Sequence, residues 1–149
     1  NLMGYREVLA EFVRSGGNVV VQYNTSRGFP PGEIGPYPLQ LSRDRVTDET
    51  AKVTVLDREH PAILGPNKIT AADFEGWVQE RGLYFPSQWD AAYTPLLSMA
   101  DPGENPTQGS LLVAKHGEGY FVYTGLSFFR ELPAGVPGAY RLLANLISL

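Results

Sequence analysis

FVRSGGNVVVQYNT, Phe12 to Thr25, is the stretch on which the fold turns. Gly16 and Gly17 end a helix, because glycine accepts the left-handed conformation that closes a last turn. NVVVQY, Asn18 to Tyr23, then reads as a strand, and its three consecutive valines favour burial on both faces, as in a parallel sheet. A helix, a glycine turn and a buried strand make an αβ unit, so the expected class is α/β.

Upstream, Leu2, Tyr5, Val8, Leu9, Phe12 and Val13 carry helical spacing, which predicts a helix over Leu2–Ser15 with a buried apolar stripe. A buried face starting in the first turn, in a chain opening on Asn1, predicts one N-terminally truncated domain over residues 1–149. Helix and strand would then each have a face shaped for absent segments, and a homo-oligomer is expected from it.

Downstream, Asn24 to Ser42 holds four prolines and three glycines, so regular structure is not expected before Leu39. Strands are predicted at Ala51–Leu56, Thr94–Ala100, Leu111–Lys115 and Tyr120–Thr124, the last two forming a hairpin around HGEG. Asp57–Gly65 reads as a turn around His60-Pro61, and DPGENP, Asp101–Pro106, as another. Thr70 and Asp73 resemble a capping box opening a short helix that ends near Gly76. Trp77–Phe85 reads as an extended segment leading into a strand. Ala139, Leu142, Leu143, Leu146 and Ile147 have the spacing of a terminal helix.

The chain has 149 residues, about one domain, and its 16 glycines and 12 prolines make it rich in turns. A net charge of −4 argues against a nucleic-acid partner, which needs a basic face. No run approaches the ~18 consecutive apolar residues of a membrane span. With no cysteine, disulfides, thiolate metal sites and a cysteine nucleophile are excluded.

His60 and His116 are the only histidines and lack helical pairing, so they read as turn or surface residues rather than metal ligands. There is no Gly-x-Ser-x-Gly elbow, phosphate loop or dinucleotide fingerprint. Ser26, Ser42, Ser98, Ser110 and Ser127 have no histidine near in sequence.

Nine of the twelve basic residues are arginines. Arg43 and Arg45 cluster with Asp48 and Glu49, Glu80 with Arg81, and Arg130 with Glu131. One reading is an ion-pair network that pins loops; the other is a polar pocket for a sugar or carboxylate ligand. Tyr23, Trp77, Tyr84, Phe85 and Trp89 could stack on a sugar ring or fill the core. Ligands of open α/β sheets sit at the carboxyl ends of strands, which puts forward Tyr23, Asn24, Thr25 and Arg27 after the first strand. Gly125, Ser127 and Arg130 follow the hairpin. The candidate ligand-binding set is Tyr23, Asn24, Arg27, Glu80, Arg81 and Arg130. The two loops are expected to converge on one cleft, unless Arg130 pairs with Glu80 or Glu131 and only braces the fold.

Four strings are recognisable together: Phe12–Thr25; RVTDETAKV, Arg45–Val53; HPAILGPNKITAADFEGWVQERGLYFPSQWD, His60–Asp90; and GEGYFVYTGLSFFRELPAGVPGAYRLLANLIS, Gly117–Ser148. They resemble the C-terminal region of bacterial PIG-L/LmbE-type deacetylases, which is similar to a class I glutamine amidotransferase-like, flavodoxin-like domain. The resemblance runs along essentially the whole chain. It implies a partial flavodoxin-like, three-layer α/β fold with a hairpin and a terminal helix near the end. It implies a parent that removes acetyl groups from N-acetylglucosamine-type substrates with zinc held by a separate catalytic domain, in a periplasmic or secreted setting. DREHP, Asp57–Pro61, lacks the acidic residues that follow His-Pro in such zinc motifs. Amidotransferases carry an elbow cysteine and a downstream histidine; here GLSFFREL, Gly125–Leu132, follows the last strand instead.

The implied role is a non-catalytic accessory domain, without a cofactor of its own, that binds glycan or packs on the catalytic deacetylase domain. A degenerate amidotransferase-like or ThuA-like hydrolase, and a purely structural interaction module, are the alternatives.

Overall fold

The computed structural model describes residues 2–25, 27 and 34–149. The irregular stretch expected between Asn24 and Ser42, with its Ser26, lies partly outside the described residues. A 3₁₀ turn, Leu2–Tyr5, leads into α1 (Arg6–Arg14) and then β1 (Asn18–Gln22). After the loop come β2 (Leu39–Val46), β3 (Val53–Val55), α2 (Pro61–Leu64), a 3₁₀ turn at Ala71–Phe74, and β4 (Gly82–Trp89). The rest is β5 (Tyr93–Pro95), β6 (Leu97–Met99), β7 (Leu111–His116), β8 (Gly119–Thr124), α3 (Phe128–Glu131) and α4 (Pro137–Ile147).

Among the described residues the fold is mixed α/β, with several sheets and no closed barrel. The largest sheet has the order β1-β8-β7-β5, and two-stranded sheets pair β2 with β4 and β3 with β6. The β7–β8 hairpin is antiparallel with His116 opposite Gly119, so its turn is two residues long. Gly117 sits in that turn at φ +60, a conformation that L side chains avoid, and a Cβ there would lie 2.8 Å from Arg14 Cα.

Alternation along the hairpin builds two cores. Leu111, Val113 and Val122 face a cluster containing Ala139, Leu142 and Leu146 of α4. Leu112, Ala114, Phe121 and Tyr123 face the other way, toward Val13 of α1, Ile34 and Leu39. Burial pushes the Tyr123 phenol up to about 12. The buried Asn145 fastens α4, donating to the carbonyls of Ala62 (2.8 Å) and Asn67 (2.7 Å). The Thr70–Asp73 capping box is formed, and a 3₁₀ turn rather than an α-helix follows it.

Several expectations are corrected. Helix α1 buries only Val13; Tyr5, Val8 and Phe12 are 63%, 67% and 54% exposed. Strand β1 is not buried on both faces: it lies at the end of its sheet, parallel to β8, with Val19 and Val20 half-buried. Thr94–Ala100 is not one strand. It breaks at Leu96, and its halves join different sheets. Strand β2, α2 and α3 have no counterpart in the sequence reading. Among the described residues, no helix is long and apolar enough to cross a membrane.

The segment after β2 is fixed by Asp101, whose carboxylate accepts from the backbone N–H of Thr47 and Asp48, each at 2.8 Å, and from the Thr47 hydroxyl at 3.0 Å. Burial opposes its charge, but these donors win and hold its carboxyl below the usual range. Its stabilising effect is therefore complete above the ordinary aspartate pKa of 3.8 and is lost as pH falls through the folded-state value. We expect Asp101→Asn to lose about 1.5–3 kcal/mol at neutral pH. Urea titrations should show its stability falling less than the parent's between neutral and acid pH.

Candidate functional site

The parallel pairing of β1 with β8 sets where the chain leaves the sheet. The Tyr23 N–H donates to the Thr124 carbonyl at 2.9 Å, continuing the ladder by one residue. Tyr23 then adopts φ +47, so the chain turns sharply at the carboxyl end of the strand. Its ring meets Tyr84 with 5.7 Å between centroids and Phe129 with 4.5 Å, both edge-on. Tyr84 lies in β4 at φ +57, where the β2–β4 register slips repeatedly between Gln40 and Val46. Gln79 has φ +72, and its side-chain oxygen accepts from Arg130 at 3.0 Å.

Tyr23, Gln79 and Tyr84 are the only non-glycine residues with left-handed φ among the described residues, and all three belong to one neighbourhood. Each such residue costs on the order of 1–3 kcal/mol, and such strain concentrates at functional sites. Gly82 and Gly125 allow the elements to meet there, since a Cβ on Gly82 would collide with the Gly125 carbonyl oxygen. The Leu83 N–H donates to the Gly125 carbonyl at 3.0 Å, and a Cβ on Gly125 would lie 2.6 Å from the Leu83 carbonyl oxygen.

On one side of the elbow Arg130 donates to Glu80 at 2.8 Å and stacks over Phe129 at 4.9 Å. Burial raises the Tyr23 phenol above its ordinary value, and the charge of Glu80 adds to this. On the other side lies a cleft of about 550 Å³ lined by Thr25, Arg27, Arg43, Arg45, Leu83 and Tyr84. Arg45 pairs loosely with Glu104 at 3.4 Å. Arg27 and Arg43 have no ion-pair partner among the described residues.

The loops after Tyr23 and Thr124 touch through the Tyr23–Phe129 contact, but they do not share the cleft as expected: its described lining contains no residue that follows Thr124. Asn24 makes local bonds, its N–H to the Tyr123 hydroxyl and its amide to the Gln22 carbonyl. Glu80 and Arg130 are joined to each other, as in the bracing reading. Arg81 does not reach a ligand surface. It is buried, and its donors are taken by the carbonyls of Ala51 and Phe74. Ser127 is buried on Glu131 and two carbonyls, Trp77 and Phe85 are core, and Trp89 packs against the second core.

Arg43 and Arg45 line the cleft but are absent from the candidate set, having been grouped with Asp48 and Glu49. Instead Asp48 accepts from Thr50, and Glu49 accepts from the Gln79 N–H. No local signal marks them, because the register slips in β2 interrupt the alternation that an i, i+2 spacing would otherwise imply. His60 caps α2, accepting from Ala62 at 3.1 Å, and burial lowers its pKa. His116 pairs with Gly119 at the end of the hairpin away from the elbow, in an open cleft of about 660 Å³ beside Arg6 and Glu7. No group of three or more His, Asp or Glu side chains that could hold a metal ion occurs among the described residues.

No family model matches the chain, and no curated protein sequence matches it. Among solved structures it is similar to a cold-adapted beta-galactosidase from Rahnella sp. R3, with a TM-score of 0.50 and 18% sequence identity. The match covers 96% of this chain and 20% of the beta-galactosidase. The chain thus spans about a fifth of that protein, and the likeness is one of fold.

The strain at Gln79 is the easiest to release, because the residue is exposed. Gln79→Gly should raise stability by about 1 kcal/mol through relief of the left-handed backbone, less whatever its contact with Arg130 contributes. That corresponds to roughly 2–4 °C in thermal melting. Gln79→Val should lower it.

Proposed function

We propose that the chain is a non-catalytic accessory domain of a PIG-L/LmbE-type N-acetylglucosaminyl deacetylase, flavodoxin-like in arrangement, which holds a glycan at the Tyr23 elbow. The observation that carries this reading is the residue at the elbow. A sharp turn at the carboxyl end of a parallel strand is where α/β enzymes present a nucleophile and where α/β proteins hold ligands. Here the turn presents a phenol whose pKa is raised by burial, so it stays protonated at neutral pH. Glu80, the nearest carboxylate in the cluster, is held by Arg130, and His116 is at the far end of the hairpin. Tyr23, Tyr84 and Phe129 instead offer aromatic surface for a sugar ring. The resemblance in sequence supports the parent family. The likeness to a fifth of a longer chain supports a modular domain.

The test is a titration with N-acetylglucosamine oligosaccharides followed by nuclear magnetic resonance. Saturable shifts of the Tyr23 and Tyr84 ring signals are expected, with no release of acetate and no hydrolysis of glutamine, with or without added zinc. Tyr23→Ala should weaken binding by about tenfold while the fold persists. Turnover by the chain would overturn the non-catalytic reading, and an unresponsive elbow would overturn the glycan.

A further inference from the structure

We propose that the cleft beside the elbow selects an acidic sugar, one bearing a carboxylate or a sulfate, with Arg27, Arg43 and Arg45 taking the anion and Tyr84 the ring. The sugar rests on the glycan reading above; the charge rests on the arginines alone.

The chain is acidic overall, at −4, yet three of its nine arginines converge on one cleft of about 550 Å³ whose described lining contains no carboxylate. They come from two separate segments. Arg43 and Arg45 both come from β2, which the register slips between Leu41 and Val46 bend away from regular pairing, and both line the cleft. Arg27 comes from the chain just beyond the Tyr23 elbow.

Arginines that serve the fold look different in this molecule. Arg81 is buried against carbonyls. Arg130 and Arg141 each hold a buried carboxylate, Glu80 and Asp73, at 2.8 and 2.7 Å. Arg27 and Arg43 do neither among the described residues, and the Arg45–Glu104 contact is long and exposed on both sides. Guanidinium groups lining one cleft with only that loose Glu104 contact against them repel one another, and an oxyanion offsets that repulsion while accepting forked hydrogen bonds. Tyr84 lends a half-buried ring, its position fixed by a left-handed backbone and the edge of Tyr23.

The experiment is calorimetric titration of the chain with four probes. These are a glucuronate–N-acetylglucosamine disaccharide, an O-sulfated N-acetylglucosamine, the neutral N-acetylglucosamine disaccharide, and inorganic sulfate. At least one acidic sugar should bind about tenfold tighter than the neutral one, and added salt should weaken it. The stronger of the two acidic probes identifies the anion. Arg43→Gln should abolish the preference without changing the melting temperature, and Arg43→Lys should restore part of it. Equal binding of neutral and acidic sugars would overturn this inference and leave the glycan reading standing. Inorganic sulfate binding as tightly as the acidic sugars would overturn the selection of a sugar. An acidic preference that survives combined Arg43→Gln and Arg45→Gln substitution would overturn the role given to the arginines.

Discussion

A guanidinium sealed from water is costly unless its nitrogens find partners, and each nitrogen of Arg81 finds one without direct contact to any carboxylate among the described residues. Its Nε and Nη2 donate to the Ala51 carbonyl at 3.1 and 2.7 Å, and its Nη1 to the Phe74 carbonyl. The rings of Phe74 and Trp77 lie 6.0 and 5.9 Å from its centre. Burial lowers its pKa, opposed by the charges of Asp48, Glu131 and Glu49, and it stays charged at neutral pH. One side chain thereby ties the segments around Ala51, Phe74 and β4, none of which has a long helix or a wide sheet of its own to hold it.

The backbone at Arg81 extends the same constraint to the hairpin. The Ser127 N–H donates to the Arg81 carbonyl at 3.0 Å, and its hydroxyl to the Glu80 carbonyl at 3.0 Å. The buried Glu131 accepts, at 2.8 Å, from the Val78 N–H, and shares the single Ser127 hydroxyl proton with the Glu80 carbonyl. Burial raises the Glu131 carboxyl, only partly offset by these donors, so its ionised form is held against a desolvation cost. The turn at Val78–Arg81 is therefore gripped at both ends, which is how Gln79 is kept at a φ it would otherwise leave. Glu80 is presented to Arg130 by the same grip.

What the sequence discloses follows from how local each cause is. The hairpin, the terminal helix and the capping box rest on residues within a few positions of one another, and all three are present. The apolar stripe of α1 has the right spacing, but spacing cannot say whether a partner surface exists, and most of the stripe faces outward. Strand β2 escapes detection because Ser42, Arg43, Asp44 and Arg45 break alternation where the register slips. The candidate site is legible at Tyr23 and Arg27, since the carboxyl end of a strand is a local feature. Arg81 is misread because a buried arginine and a binding arginine look alike in sequence; its bonds to Ala51 span thirty residues. Arg43 and Arg45 are assigned to neighbours in sequence because nothing local reports that β4 and the loop after β1 lie across from them.

The elbow joins these observations to function. Glycine at residues 23 and 84 would release the backbone strain but would remove both rings. Part of the cost is offset between the two residues themselves, because the turn that strains Tyr23 brings its ring to the edge of Tyr84 and against Phe129. Tyr23, held between the other two rings, has little rotamer freedom left to lose. A ligand laid on that ring would not have to order its own binding surface, which is a main cost of recognition. The exposed arginines of the adjacent cleft are long and mobile by contrast, and their contribution depends on charge and salt. A rigid aromatic wall beside an adjustable cationic one suits a ligand with a fixed ring and an anionic substituent of variable reach.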